Sequence, residues 1–192
     1  IRTILPIAAF AAAVYVTTNG GATAFATLGT VQESDGTAAN TLTDLDISPA
    51  SGTTHYVGVS GYETSGGGAA NVWYFNVGAA APAWKETNDK AGWATNHETF
   101  VGSSEDISHA IAWSPSFPSD KVLVAVTSNT SVDVSLQMFS LASGNSKWNT
   151  AAGFASFPAV ISNDTTAIDD ATVAASLALA PDYLGSDSAM RI

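Results

Sequence analysis

Carboxylates are the most plentiful side chains in this chain that can do chemistry. There are 17 Asp+Glu against 6 Lys+Arg, with three histidines and no cysteine. The acids gather at Asp44/Asp46, Asp89, Glu105/Asp106 and Asp164/Asp169/Asp170. Glycoside hydrolysis needs two carboxyl groups facing one sugar, about 5–9.5 Å apart, and sequence alone leaves such a pair open. Calcium takes hard oxygen ligands from loops. The stretch Asn163-Asp164-Thr165-Thr166-Ala167-Ile168-Asp169-Asp170 offers them, so Asp164, Asp169 and Asp170 are the candidate ligands. Its spacing is not that of an EF-hand, and a solvated acidic loop is the competing reading. The expectation is no cofactor, with calcium as the alternative.

The histidines are His55, His97 and His109. They form no H-E-x-x-H and no i, i+4 pair, so they do not read as a metal site. His55 is expected on a strand face and the other two in loops. Absent cysteine removes disulfides, thiolate zinc and thiol nucleophiles. No G-x-G-x-x-G or G-x-x-x-x-G-K-[ST] motif opens a helix, and Gly66-Gly67-Gly68 reads as a hairpin loop. Five tryptophans remain: Trp73, Trp84, Trp93, Trp113 and Trp148. Four recur at strand or turn positions and are expected to pack. Trp93, in a loop, is the candidate for stacking on a ligand. Asn129-Thr130-Ser131 and Asn163-Asp164-Thr165 fit N-x-[ST], so Asn129 and Asn163 are candidate glycan acceptors on an exported chain.

The elements that must position these residues are repeated. Leu45-Asp46-Ile47-Ser48-Pro49, Ile111-Ala112-Trp113-Ser114-Pro115 and Leu177-Ala178-Leu179-Ala180-Pro181 align, and their prolines are evenly spaced along the chain. Each is an alternating strand halted by a residue that cannot donate to a ladder. A turn follows, then a second strand: His55 to Val59, Val122 to Val126, and Ala189 to Ile192. A third strand carries aromatics, with Val72-Trp73-Tyr74-Phe75-Asn76 matched to Ser135-Leu136-Gln137-Met138-Phe139. A turn then leads to Trp84 or Trp148. Val14-Tyr15-Val16 and Phe25 fit the second half of an earlier copy. The fold class is therefore all-β, in antiparallel units. Residues 1–40 read as the trailing part of one repeat, 41–106 and 107–172 as whole units, and 173–192 as the start of another. On this reading the chain is cut inside a repeat at both ends.

The pattern resembles secreted β-propellers of the sialidase-like, BNR/Asp-box kind. The resemblance rests on Trp113-Ser114-Pro115-Ser116-Phe117-Pro118-Ser119-Asp120-Lys121-Val122 and its echo Leu179-Ala180-Pro181-Asp182-Tyr183. It rests also on Thr17-Thr18-Asn19-Gly20-Gly21-Ala22-Thr23, similar to the Asp-box S/T-x-D/N-x-G-x-T-W but ending in Ala24-Phe25. The resemblance implies propeller blades. The unit, from one proline to the next, is longer than the usual blade of roughly 40–50 residues, the surplus falling in loops. A ring needs at least about four blades, so completion by other chains or by missing parts of the protein is expected. A tandem β-sandwich is the alternative fold. Sialidases also use an arginine cluster, and only Arg2 and Arg191 exist here.

Composition places the chain. Net charge is −11 and charged residues are 12%, about half the usual share. So few cations argue against nucleic acid as a partner. The apolar run from Ile4 to Val16 is shorter than the about 20 residues of a membrane span. Arg2 and Ala24-Phe25-Ala26 also fit a signal segment with its cleavage site, the alternative to a buried strand. The leading expectation is a non-catalytic, extracellular structural protein, part of a larger propeller in a cell-surface, S-layer-like assembly. Its surface of Ser, Thr, Gly and Ala carries little side-chain entropy to lose at an ordered contact. The alternatives are a carbohydrate- or ligand-binding propeller, with glycans as partners, and a glycoside hydrolase with catalytic residues outside this segment.

Overall fold

A computed structural model describes residues 12–17, 21–63, 69–93, 107–128, 133–142, 144, 146–163 and 174–189. The described chain is all-β, and every strand pairing is antiparallel. Strand β1 (Ala13–Val16) pairs with β2 (Ala26–Thr30). Next comes a four-stranded meander of β3 (Thr41–Ile47), β4 (Tyr56–Glu63), β5 (Ala69–Asn76) and β6 (Trp84–Glu86), in that spatial order. A second meander repeats it with β7 (Ile107–Trp113), β8 (Val122–Ser128), β9 (Asp133–Ser140) and β10 (Lys147–Trp148). Strand β11 (Ala159–Asn163) extends that sheet by pairing with the first half of β9. The two meanders fall within 41–106 and 107–172.

The units stack face to face, and alternation along each strand shows it. In β4 and β5, Val57, Val59, Trp73 and Phe75 join Val14 and Val31 in a core shared with the first unit. Val72 and Tyr74, facing the other way, join Trp113, Leu123 and Phe139 in a core shared with the second meander. In that meander Val122, Val124 and Met138 face onward to Tyr183. The central strands of both meanders are thus buried on both faces, which explains unbroken apolar runs such as Val122-Leu123-Val124-Ala125-Val126. Burying each such side chain contributes about 1.5–3 kcal/mol. Gly58 on β4 lets the sheets close: a Cβ there would lie 2.9 Å from both Ile111 Cδ1 and Trp113 Nε1.

The third strands match differently by one residue from the sequence alignment. Val57 opposes Phe75 and Leu123 opposes Phe139, so Asn71–Phe75 is the counterpart of Ser135–Phe139. The hairpin before β9 is shorter than the one before β5. A one-residue slip would have turned every side chain to the wrong core.

The turn after Pro115 becomes one helical turn, α1 (Phe117–Asp120), closed by Lys121 at φ 57°. The stretch Leu177-Ala178-Leu179-Ala180-Pro181, expected as a strand, is not assigned to any sheet. Its neighbour Ser188-Ala189, expected to begin a strand, is a turn, and 190–192 lie outside the described residues. No helix among the described residues is long and apolar enough to cross a membrane.

Candidate functional site

The opening segments of successive units converge on one cavity of about 380 Å³. Asp44, Leu45 and Asp46 of β3, Ile111 to Trp113 of β7, Pro115, and Leu177 to Leu179 line it. These are the three aligned segments of the repeat. Asp44 and Asp46 stand two positions apart on β3, so both point to the same side. Asp44 accepts from Leu45 N–H at 2.8 Å and from Ile111 N–H at 2.9 Å. Asp46 accepts from Ile47 N–H and Trp113 N–H, both at 2.7 Å. Thr43 Oγ1 donates to the Ser108 carbonyl beside them. Strand β7 is the edge of its sheet, and these bonds satisfy amides that the ladder leaves unpaired. Burial pushes the Asp46 carboxyl up; the Trp113 and Ile47 amides oppose it, and the Asp44 charge adds a smaller upward push. Chemically, the pair acts as a staple: each carboxyl group accepts from two backbone donors, one on its own strand and one on β7.

The repeat shifted by one unit carries Ala110 and Ala112 where Asp44 and Asp46 stand. Leu177 and Leu179 then occupy the places of Ile111 and Trp113. The second seam therefore has no carboxylate staple. An aromatic knob holds it instead. Tyr183 is buried, packs with Val122 and Met138, and points its hydroxyl at Met138 Sδ, 3.9 Å away. Its counterpart in the preceding copy is Phe117, wholly buried, with ring centroids 5.2 Å from Tyr56 and 4.8 Å from Trp113. Buried Asp120 ties the two turns together. It accepts from Ser114 Oγ at 2.6 Å, from Val122 N–H at 3.1 Å and from Gly185 N–H at 2.8 Å. The Ser-Pro-turn-Asp signature is thus a closed hydrogen-bond network that reaches into the following unit.

Trp93 is 7% exposed, and its ring meets Trp148 edge-on with centroids 4.5 Å apart. It belongs to the core between the two meanders, where stacking on a ligand would require it to leave. Two of the four recurring indoles bridge units, while the buried Nε1 groups of Trp73 and Trp113 have no hydrogen-bond partner. Trp84 Nε1 donates to Leu28 O at 3.1 Å, and Trp148 Nε1 to Thr87 O at 2.9 Å. Asn149, also buried, donates to Gly92 O and Gln137 Oε1 and accepts from Met138 N–H.

His109, expected in a loop, lies in β7 instead. It is buried, with Nε2 2.7 Å from Ser128 Oγ, because its strand is covered on both faces. His55 precedes β4, and its Nδ1 donates to the Ser48 carbonyl at 2.8 Å, bracing the turn. Asp164, Asp169 and Asp170, the candidate calcium ligands, lie outside the described residues, as do Asn129 and His97. Asn163 is the last residue of β11. Among the described residues, no group of three or more His, Asp or Glu side chains is arranged to hold a metal ion.

Sequence reasoning missed the seam roles of Asp44, Asp46, Phe117 and Tyr183. Part of the signal was present: two acids at i and i+2 in a strand, and an aromatic at the same turn position of two copies. No family model, no curated protein and no solved structure matches this chain.

Proposed function

We propose that the chain is a non-catalytic structural repeat array of the β-propeller kind, serving an extracellular, cell-surface assembly. One observation carries this reading: two kinds of contact each recur at two successive seams, and both meet at the seam between the two meanders. An aromatic from the turn of one unit packs on the sheet before it, as Phe117 on Tyr56 and Tyr183 on Met138. An indole N–H from the outer strand reaches back to a carbonyl of that preceding unit. A protein built this way buries each sheet between neighbours, and its seams are made to receive further units of the same kind. The four-stranded meander is also the form of a propeller blade. The polar side chains that line the cavity are taken up by the seam, which favours a scaffold role over acid–base chemistry.

The surface supports the setting. Charged residues are scarce and net charge is −11, with Ser, Thr, Gly and Ala in their place. Such a surface loses little side-chain entropy when ordered against a neighbour. Electron microscopy of the purified protein at rising concentration, with light scattering, tests assembly. Rings or ordered arrays are expected. A protein that stays monomeric and forms no array, and that immunogold labelling finds only inside intact cells, would remove the proposal.

A second reading keeps the cavity as a ligand site, because Trp113, Pro115, Leu177 and Leu179 give it an apolar wall. A glycan array and a small-molecule thermal-shift screen separate the two. Binding abolished by filling the cavity with Ala178→Trp would favour the ligand-binding reading.

A further inference from the structure

We propose that Glu33 and Glu63 form a proton-held latch between the Val31–Ala39 hairpin and the β3–β6 sheet. One shared proton joins the two carboxyl groups, and its removal loosens the hairpin. The hairpin is tight: Glu33 N–H donates to Thr37 O at 2.9 Å, and Gln32 bridges Ala38. Its tip meets the sheet through carboxylates. Glu33 Oε1 accepts from Asn71 Nδ2 at 2.8 Å and from Asn88 Nδ2 at 3.2 Å. Ser34 donates to Glu86 through N–H at 3.1 Å and through Oγ at 2.6 Å.

Glu63, at the end of β4, lies two positions from Gly61 and so on the same side of the strand; Gly61 pairs with Asn71, the residue that holds Glu33, which brings the Glu63 carboxyl to the Glu33 carboxyl. Its Oε1 is buried and no donor reaches it. Two carboxyl oxygens in contact are both acceptors, so they attract only when one of them carries a proton. Ionised together they repel, and burial weakens the screening that water would supply. Among the described residues, the charged groups that act on Glu63 are acids: Glu33 and Asp35 from the hairpin, and Glu86 from β6. Strand β5 brings the neutral Asn71 to the same place. The ion pair among the described residues is Lys90 with Asp89, outside this group.

Burial first, then the contact with Glu33 and the surrounding acids, push the Glu63 carboxyl from an ordinary 4.5 up to about 8. The folded chain therefore keeps a proton that the unfolded chain loses near 4.5. The stabilisation is fully present below that pH, declines as pH rises, and is lost on passing about 8.

Hydrogen exchange on the whole chain tests the latch. Protection of the Val31, Glu33 and Ala39 amides is compared at pH 6 and pH 9 after correction for intrinsic rates. The wild type is expected to lose protection by at least about tenfold, out of the about hundredfold that the two pH units between 6 and a midpoint near 8 would give in full, because water still screens this half-buried pair. Glu63→Gln, whose amide donates to the Glu33 carboxylate without titrating, is expected to keep its protection at both pH values. An equal loss in the two proteins overturns the latch. Should Glu63→Gln not fold, carbon NMR of the Glu63 carboxyl in the wild type decides: a midpoint near 8 supports the latch and one near 4.5 overturns it.

Discussion

At Gly92 a single hydrogen atom sets how closely two units approach. Its backbone is at φ +87°, and a Cβ there would lie 2.2 Å from the Trp148 carbonyl oxygen and 2.8 Å from the Ala151 side chain. The Trp148 N–H donates to Ala91 O at 2.9 Å, so the loop cannot retreat without losing that bond. Gly92→Ala is expected to destabilise the protein by about 2 kcal/mol or more, combining positive-φ strain with overpacking. Urea unfolding monitored by tryptophan emission measures it, and a midpoint equal to wild type would show that the loop adapts. This position was legible only in part. Lys90-Ala91-Gly92-Trp93 reads as a loop, but nothing local says that Trp93 turns inward onto Trp148.

At the scale of elements, the seam between β3 and β7 joins two sheet edges without a continuous ladder. Asp44 and Asp46 supply the acceptors that a neighbouring strand would have supplied. Removing both should leave the Ile111 and Trp113 amides unsatisfied. A buried donor left without a partner costs about 1–3 kcal/mol. Asp44→Ala with Asp46→Ala is therefore expected to lower stability by about 2–4 kcal/mol, allowing for imperfect additivity of neighbours. Thermal denaturation with calorimetry checks this. Loss confined to a few tenths of a kcal/mol would mean that water replaces the carboxylates. The alternation of Thr41-Leu42-Thr43-Asp44-Leu45-Asp46 does announce a strand with two acids on one side. The amides those acids bond belong to the next unit, far along the chain, and no local rule points to them.

For the whole molecule, all three cores lie between units, so no sheet has a core of its own. Unfolding should then be one cooperative transition. Phe117→Ala empties a site that is 0% exposed, and such truncations cost about 3–5 kcal/mol. The variant is expected to shift circular dichroism and tryptophan emission to the same lower midpoint. Two separate transitions would mean that the meanders are independent. A net charge of −11 adds self-repulsion that salt screens. Melting temperature is expected to rise by about a few degrees between low and physiological salt; a fall would show that attractive pairs outweigh repulsion.

The amino-acid sequence alone specifies the all-β class, the even spacing of the repeat and the order of strands in each unit. Those are local: alternation, Pro stops and turn residues act within a few positions. It also placed the recurring tryptophans in packing roles, since a large ring at the same place in two copies has the same neighbours. The one-residue register of β9 was out of reach, because the loops on either side differ in length and only the facing core fixes which side chains turn inward. The burial of His109 and Trp93, the Asp44/Asp46 staple and the Glu33–Glu63 contact were out of reach for the same reason. Each depends on residues far apart in the chain, and the distance between them is set by how whole sheets pack.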